Sequence, residues 1–212
     1  MADKEDKKYL TPEGRLINHA LFEKDVYENP QGGGKGKPRY KVEMAFDPDQ
    51  LNDLEDRIVD MAIEKWGKDA EADYYDKGTI KSPLLFGDEL AKKREAKGKE
   101  GDAYKGKIVI RASTEFNGQG QNAPGGVYVA GMDAAELPFT DRGKVYPGCM
   151  GKAVLTPAVY ETPQGRGVTL YLNGFQLTGE GERLTTNTVA GAFQPVNGTA
   201  SAPAAGRRRR AG

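Results

Sequence analysis

Residues 39–46, RYKVEMAF, alternate strictly between apolar and polar side chains. A period of two residues is that of a β-strand whose two faces meet different environments. The apolar face consists of Tyr40, Val42, Met44 and Phe46. A lone strand cannot keep such a face from water, so the chain has to supply further strands or a helix to cover it.

Four other segments are typical of strands because of their apolar content, alternation and flanking turn residues. They are residues 14–22, 105–114, 149–160 and 168–178. In the second of them, Ile108 and Ile110 fall on the face opposite to Lys107 and Arg111. The turn-like sequence TPQGRG separates the last two segments, which predicts a long hairpin.

One helix is predicted directly after the 39–46 strand. Asp47 suits the N-cap, Pro48 the first helical position and Gln50 the third. Apolar residues then recur at helical spacing as far as Trp66, and Gly67 ends the segment. The opposite face is acidic and carries Asp49, Asp53, Asp56 and Asp60.

The order of these elements gives the fold prediction. Antiparallel strands with one main helix after the second strand indicate a mainly β domain. It is either a five-stranded antiparallel barrel resembling the OB-fold or an α+β sandwich. Residues 67–106 carry nine acidic and nine basic side chains, and we expect a long charged surface insertion with short helical pieces. The single domain is predicted to span 12–186, between a flexible N-terminus at 1–11 and a disordered Ala/Gly/Pro-rich tail at 187–212.

Composition argues against several protein classes. No apolar run is long enough to span a membrane, and the polar start of the chain is unlike a secretory signal. Cys149 is the only cysteine and His19 the only histidine, so a disulfide or a Cys/His zinc site lacks ligands. We therefore expect a cytoplasmic protein without a cofactor. A metal-dependent nuclease or resolvase stays open as an alternative, since carboxylates four residues apart on the acidic helix could hold a metal ion.

The charge of the chain is unevenly distributed. It has 31 basic and 31 acidic side chains; four of the basic ones are Arg207 to Arg210, so the remainder carries a net charge of −4. Binding to nucleic acid would therefore need a local basic surface or the basic tail.

A local basic surface is predicted on the outward faces of two strands. Its cations are Lys35, Lys37, Arg39, Lys41, Lys105, Lys107 and Arg111. They would meet phosphates without reading sequence. Aromatic side chains that could stack on unpaired bases are Tyr104, Phe116, Tyr146, Tyr160 and Tyr171. The ordinary alternative is that the cations belong to a solvated strand face and most of the aromatic rings to the core.

Several phrases of the sequence resemble a known family. They are GRLINHALF, YKVEMAF, SPLLFGDEL, KIVIRAST and, above all, VYPGCMGKAVLTPAVYETPQGRGVTLYLNGFQLTGEGERL at 145–184. Together they resemble phage-encoded single-stranded-DNA-binding proteins with an OB-fold, over about residues 12–184. The residues that match the family's most specific block are Tyr146, Gly148, Lys152, Tyr160, Tyr171 and Asn173.

The resemblance implies a function. A protein of this family coats and protects single strands in phage replication and recombination and has no catalytic activity. Phage or host replication proteins are the implied partners, in the host cytoplasm, and we expect a monomer or homodimer. By the same resemblance, Tyr146, Lys152, Tyr160 and Tyr171 are candidates for DNA contact.

The end of the chain departs from the usual pattern of single-strand binders, many of which have an acidic tail. This chain ends in RRRRAG. Its arginines, Arg207, Arg208, Arg209 and Arg210, are expected to add sequence-independent affinity, for duplex DNA as well. A second alternative function follows: an interaction or virion-assembly protein that its basic tail tethers to DNA.

Overall fold

The structure, a computed structural model of the chain, describes residues 8–26, 36–115 and 127–184. Its strands are β1 (Tyr9–Leu10), β2 (Gly14–Asp25), β3 (Arg39–Phe46), β4 (Ile80–Lys81), β5 (Leu84–Phe86), β6 (Ile108–Thr114), β7 (Tyr128–Ala130), β8 (Met150–Thr162) and β9 (Gly165–Gly179). Its helices are α1 (Asn52–Trp66), α2 (Ala70–Tyr75) and α3 (Gly87–Glu95), with 3₁₀ turns at Pro48–Leu51, Asp102–Tyr104 and Phe139–Lys144.

Five of these strands close into a ring. β2 pairs with β3, β3 with β6, β6 with β9, β9 with β8, and β8 again with β2. Four pairings are antiparallel, as predicted, whereas β6 and β9 run parallel because a long crossover through β7 and β8 separates them. The predicted five-stranded, OB-fold-like architecture is confirmed as a closed sheet of five strands.

Short strands extend this ring at places where the sequence gives no periodic signal. β1 pairs with β8, and the Thr11 hydroxyl accepts a hydrogen bond of 2.9 Å from the backbone of Ala153. β1 thus lies before residue 12, where the domain is predicted to begin. β4 and β7 join β9, and β5 joins β6.

The interior of the ring contains the residues that alternation predicts. Val42, Met44 and Phe46 of β3 are at most 1% exposed, and Ile110 of β6 is fully buried. Helix α1 covers the same core with an apolar face consisting of Leu54, Ile58, Val59 and Ala62.

The predicted start of the helical segment is confirmed, with a 3₁₀ first turn at Pro48–Leu51. The backbone N–H of Asp47 donates to Gln50 Oε1 at 2.8 Å, which is half of a capping box. Gly67 ends α1 with a φ of 86°, a conformation that glycine adopts readily.

The insertion at 67–106 is less superficial than predicted. The short helical pieces are present as α2 and α3. However, Ala91 and Tyr104 are each 2% exposed and pack outside the ring against Ile17, Ala45 and Val109. The charge count of the segment averages over all of its residues, so it hides the few apolar side chains that face the sheet together.

Candidate nucleic-acid interface

The outward face of β2, β3 and β6 is covered at one end and open at the other. At the covered end, Ala45 and Val109 are neighbours in register and lie under the insertion. At the open end, Lys41 pairs with Ser113 and Glu43 with Arg111. The insertion therefore borders a polar surface that is formed by the strands.

Three adjoining clefts lie along this outward face. Their volumes are about 670, 450 and 690 Å³, and Asn18 of β2 lines all three. The first extends to Phe139 and Arg142, the second to Arg39 and Arg111, and the third to the insertion. We call this connected surface the Asn18 groove. It extends over residues of β2, β3 and β6, and such an open surface suits an extended polymer better than a small molecule.

Four of the predicted cations are brought together in the second cleft: Lys37, Arg39, Lys41 and Arg111. All four are paired with carboxylates. Arg39 Nη2 lies 2.9 Å from Glu115 Oε1, and Lys37 Nζ lies 3.8 Å from Glu115 Oε2. The side chain of Arg111 binds Glu43 Oε1 through Nη2 at 2.8 Å and Nε at 3.0 Å.

The fourth pair joins Lys41 to Asp25. The hydrogen bond from the Lys41 ammonium, assisted by its charge, holds the pKa of Asp25 below its ordinary value. The carboxylate is therefore ionised at neutral pH. Four cations of the predicted basic surface therefore lie together, and carboxylates of the protein largely balance their charge.

Lys105 and Lys107 do not line the groove. Strand β6 begins only at Ile108, and Gly106 turns the chain with a φ of 64°. Lys107 Nζ lies 2.5 Å from Asp47 Oδ1, at the N-cap of the 3₁₀ turn Pro48–Leu51. Lys105 lies between Asp102 and Glu95, and hydrogen bonds to these carboxylates raise its pKa.

Two of the predicted aromatic residues have structural roles. Tyr104 is 2% exposed, so its ring offers no face to a base, which corrects its assignment as a stacking residue. The Tyr146 hydroxyl donates to the Gly181 carbonyl at 2.9 Å, and the Arg183 guanidinium lies 3.8 Å from its ring centroid. Tyr146 thus anchors the segment that follows β9.

Tyr171 is 47% exposed and lies on the outward face of β9. It is in register with Ser113, which in turn is in register with Lys41. The phenol ring therefore continues the row of groove residues across the ring of strands. Lys152 and Tyr160 are partly exposed on β8 and, like Tyr171, are not among the lining residues of the three clefts.

The remaining predicted DNA contacts lie outside the described residues. They are Lys35, Phe116, Arg207, Arg208, Arg209 and Arg210.

Sequence reasoning missed a group of residues at the first cleft. The Arg142 guanidinium lies 4.3 Å from the ring centroid of Phe139 and 4.9 Å from that of Phe22. Lys24 Nζ lies 5.3 Å from the ring centroid of Tyr40. The segment Phe139–Lys144 has neither strand nor helix periodicity, so only its adjacent aromatic and basic residues could have drawn attention to it.

Metal-dependent chemistry finds no support in the part of the chain that the structure describes. All four carboxylates of the acidic helical face are exposed. Within the described ranges, no group of three or more His, Cys, Asp or Glu side chains is placed to hold a metal ion. Nor is any described helix both long and apolar enough to cross a membrane.

His19 lines the first cleft of the groove next to Asn18. It is half-buried, its ring meets that of Phe22 edge-on, and burial lowers its pKa. Its Nδ1 atom is buried and has no hydrogen-bond partner in the described structure. These properties are those of a neutral, structural histidine.

Comparison with known proteins gives one family and one fold. The family model described as the single-stranded-DNA-binding protein of Enterobacter phage Enc34 matches residues 13–200. No curated protein sequence matches.

Solved structures agree with the family match. The single-stranded DNA-binding protein from bacteriophage Enc34, with its C-terminus truncated, gives a TM-score of 0.60 at 16% identity, over 85% of this chain and 90% of that chain. The same phage protein in complex with single-stranded DNA gives 0.56 at 16% identity, over 85% and 91%. The single-stranded DNA-binding protein gp2.5 of bacteriophage T7 gives 0.53 at 15% identity, over 92% and 99%. Similarity at this level of identity establishes a shared fold.

Proposed function

The chain belongs to the family of the single-stranded-DNA-binding protein of Enterobacter phage Enc34, and on this premise we propose that it binds single-stranded DNA independently of sequence. It coats and protects single strands during phage DNA replication and recombination, in the host cytoplasm and without catalytic activity of its own. The observation that carries the proposal is the Asn18 groove. It is open, extends over β2, β3 and β6, and is lined by four of the predicted cations.

Phosphates bind in the second cleft of the groove. Lys37, Arg39, Lys41 and Arg111 supply the cations, and each has to exchange a carboxylate for a phosphate. Exposed ion pairs contribute only about 0–1 kcal/mol, so the exchange costs little. The charges therefore remain available to DNA although they are paired in its absence.

Bases stack on exposed aromatic rings that adjoin these cations. Tyr171 is the predicted aromatic residue best placed for this, because it is half exposed and in register with Ser113 at the groove. Lys35, Phe116, Lys152 and Tyr160 extend the same binding set. Arg207 to Arg210 add affinity for single strands and for duplex DNA. The protein acts as a monomer or homodimer together with phage or host replication proteins.

Fluorescence anisotropy of a labelled strand of about 30 nucleotides, and of its duplex, tests the proposal. We expect tight binding to the single strand and weaker binding to the duplex. With about four to six phosphates neutralised, the logarithm of affinity should fall against the logarithm of salt concentration with a slope of about −3 to −4. Binding that does not respond to salt would contradict the proposal.

A variant that ends at Ala205 separates the alternatives. The groove should retain single-strand binding in this variant, while duplex binding weakens. Loss of all DNA binding would favour the interaction protein tethered by its tail. Incubation of the full chain with magnesium and labelled DNA tests the nuclease alternative, and we expect no cleavage.

A further inference from the structure

We propose that Phe139, Arg142 and Phe22 form a nucleobase-binding subsite at one end of the Asn18 groove, where a base of the bound strand stacks on the open face of Phe139. The inference rests on the proposed function and adds a contact that alternation along the strands does not predict. Its ligand is an unpaired nucleotide: the base meets the Phe139 ring and the adjoining phosphate meets the Arg142 guanidinium.

The exposure of Phe139 is the first argument. Its side chain is 77% exposed, more than any other large hydrophobic residue in the described ranges. The segment that carries it, Phe139–Lys144, contributes no buried residue to the core. Packing therefore does not account for an aromatic ring at this position, whereas an aromatic face presented to solvent is what base stacking requires.

The second argument concerns the contacts of the Arg142 guanidinium. Its guanidinium lies over the rings of Phe139 and Phe22, at 4.3 and 4.9 Å from their centroids. Its sequence neighbour Asp141 binds Lys144 instead, at 2.8 Å. Arg142 forms no ion pair with any residue that the structure describes, in contrast to the four paired cations of the second cleft. A phosphate can reach its charge without displacing a carboxylate.

The position of the group is the third argument. Phe22, Phe139 and Arg142 line the same cleft as Asn18 and Lys41, so a strand that lies over the second cleft continues into the first. Lys24 lines this cleft as well, which adds a further cation near the path of the phosphates.

The chemistry of the cleft favours a nucleotide over a protein segment. One open aromatic ring among basic and polar groups provides a stacking face and a phosphate ligand. It does not provide the apolar area of a stable protein interface. The cleft thus combines base stacking and phosphate binding, the two contacts that single-strand binders use repeatedly.

Phe139→Ala tests the stacking contact, and Phe86→Ala is its matched control. Phe86 is 67% exposed, lies on β5 and does not line the groove. Phe86→Ala therefore removes a similarly exposed ring without removing the proposed contact with a base. We expect Phe139→Ala to weaken single-strand binding roughly 5- to 100-fold with an unchanged salt slope. Phe86→Ala should bind within about twofold of wild type.

Arg142→Gln tests the phosphate contact, and Lys144→Gln controls for the loss of a positive charge in the same segment. The slope of log affinity against log salt should become shallower by about 0.7 in Arg142→Gln and change little in Lys144→Gln. Photo-crosslinking with a strand that carries 5-iodouracil should form an adduct at Phe139 in wild type.

The outcomes separate this inference from the proposed function. Wild type that binds single strands, with Phe139→Ala equal to Phe86→Ala and no adduct at Phe139, overturns the subsite and leaves the function intact. Wild type that does not bind single strands overturns both. A selective loss in Phe139→Ala together with the adduct supports the subsite.

Discussion

At the scale of residues, the groove shows how far the alternation of a strand predicts the position and the pairing of charged side chains. Alternation assigns Arg39, Lys41 and Arg111 to the outward face, and the structure places all three on it. Alternation does not give the cross-strand register that sets Glu43 directly beside Arg111. Nor does it show that Asp25 reaches Lys41. Alternation therefore predicts the position of these three cations but not the carboxylates that neutralise them.

Glu43→Gln should release Arg111 for DNA while it retains a hydrogen-bond acceptor. We expect single-strand affinity to rise by up to about fivefold, which corresponds to about 1 kcal/mol, the upper end of the range for ion pairs at a protein surface. The salt slope should steepen by up to about 0.7. Glu89→Gln on α3 is the control, since Glu89 pairs only with Lys93 at 3.5 Å in the described structure. Equal effects of the two substitutions on anisotropy titrations would show that only net charge matters.

His19 should make stability depend on pH, because burial lowers its pKa in the folded state. A histidine of this kind binds more protons in the unfolded chain, so its contribution to stability is present above its ordinary pKa of about 6.5. That contribution is lost as the pH falls below this value towards the folded pKa. Urea unfolding midpoints should therefore decrease from pH 7.5 to pH 5.5. The decrease should be smaller in His19→Gln, because the chain has no other histidine; an identical decrease would exclude His19 as its source.

At the scale of elements, strands and helices with strong periodicity are predictable and the short ones are not. β3 coincides with the predicted segment, and the helical segment begins and ends at the predicted capping residues. In contrast, β1 and β4 have two residues each, too few for a periodic signal. The docking of the insertion depends on contacts between residues far apart in sequence, which local patterns do not contain.

Gly87→Ala should loosen the insertion from the sheet. A Cβ at Gly87 would lie 1.9 Å from the Tyr104 carbonyl oxygen and 2.6 Å from that of Lys107, and backbone atoms cannot move aside cheaply. We expect a loss of about 1–3 kcal/mol in the free energy of unfolding and a melting temperature lower by about 2–12 °C. Gly143→Ala is the matched control, because a Cβ there meets nothing within 4 Å. Equal melting temperatures for the two variants would contradict the close approach of Gly87 to the backbone of Tyr104 and Lys107.

At the scale of the whole molecule, one core joins the helix to the ring. Leu54 and Ile58 of α1 belong to the same buried cluster as Leu155 of β8 and Leu172 of β9. Trp66 ties the end of α1 to the β8–β9 hairpin, since its Nε1 donates to Glu161 Oε2 at 3.2 Å. The helix and the ring are therefore expected to unfold together.

The fluorescence of Trp66, the only tryptophan, should follow the same denaturation curve as far-UV circular dichroism. Single-stranded DNA at about 100 times its Kd should stabilise the folded state by about 2.7 kcal/mol and shift both curves together. Separate transitions for the two signals would show that α1 and the ring are independent units.

Closure of the ring also sets an order of events during synthesis. β2, β3 and β6 can pair in succession as they leave the ribosome. The other edge of β2 can pair only after β8 has been synthesised, and the other edge of β6 only after β9. Until the last hairpin emerges, the nascent chain presents an open sheet with two unpaired edges. β5 covers part of the β6 edge, because it pairs with Ile108 to Ile110. The free edge of β2 pairs with none of the described strands that precede β8. A ribosome-bound chain stalled before β8 is therefore the form most prone to associate with its own copies, and the rate at which β8 and β9 are translated should govern the yield of folded protein.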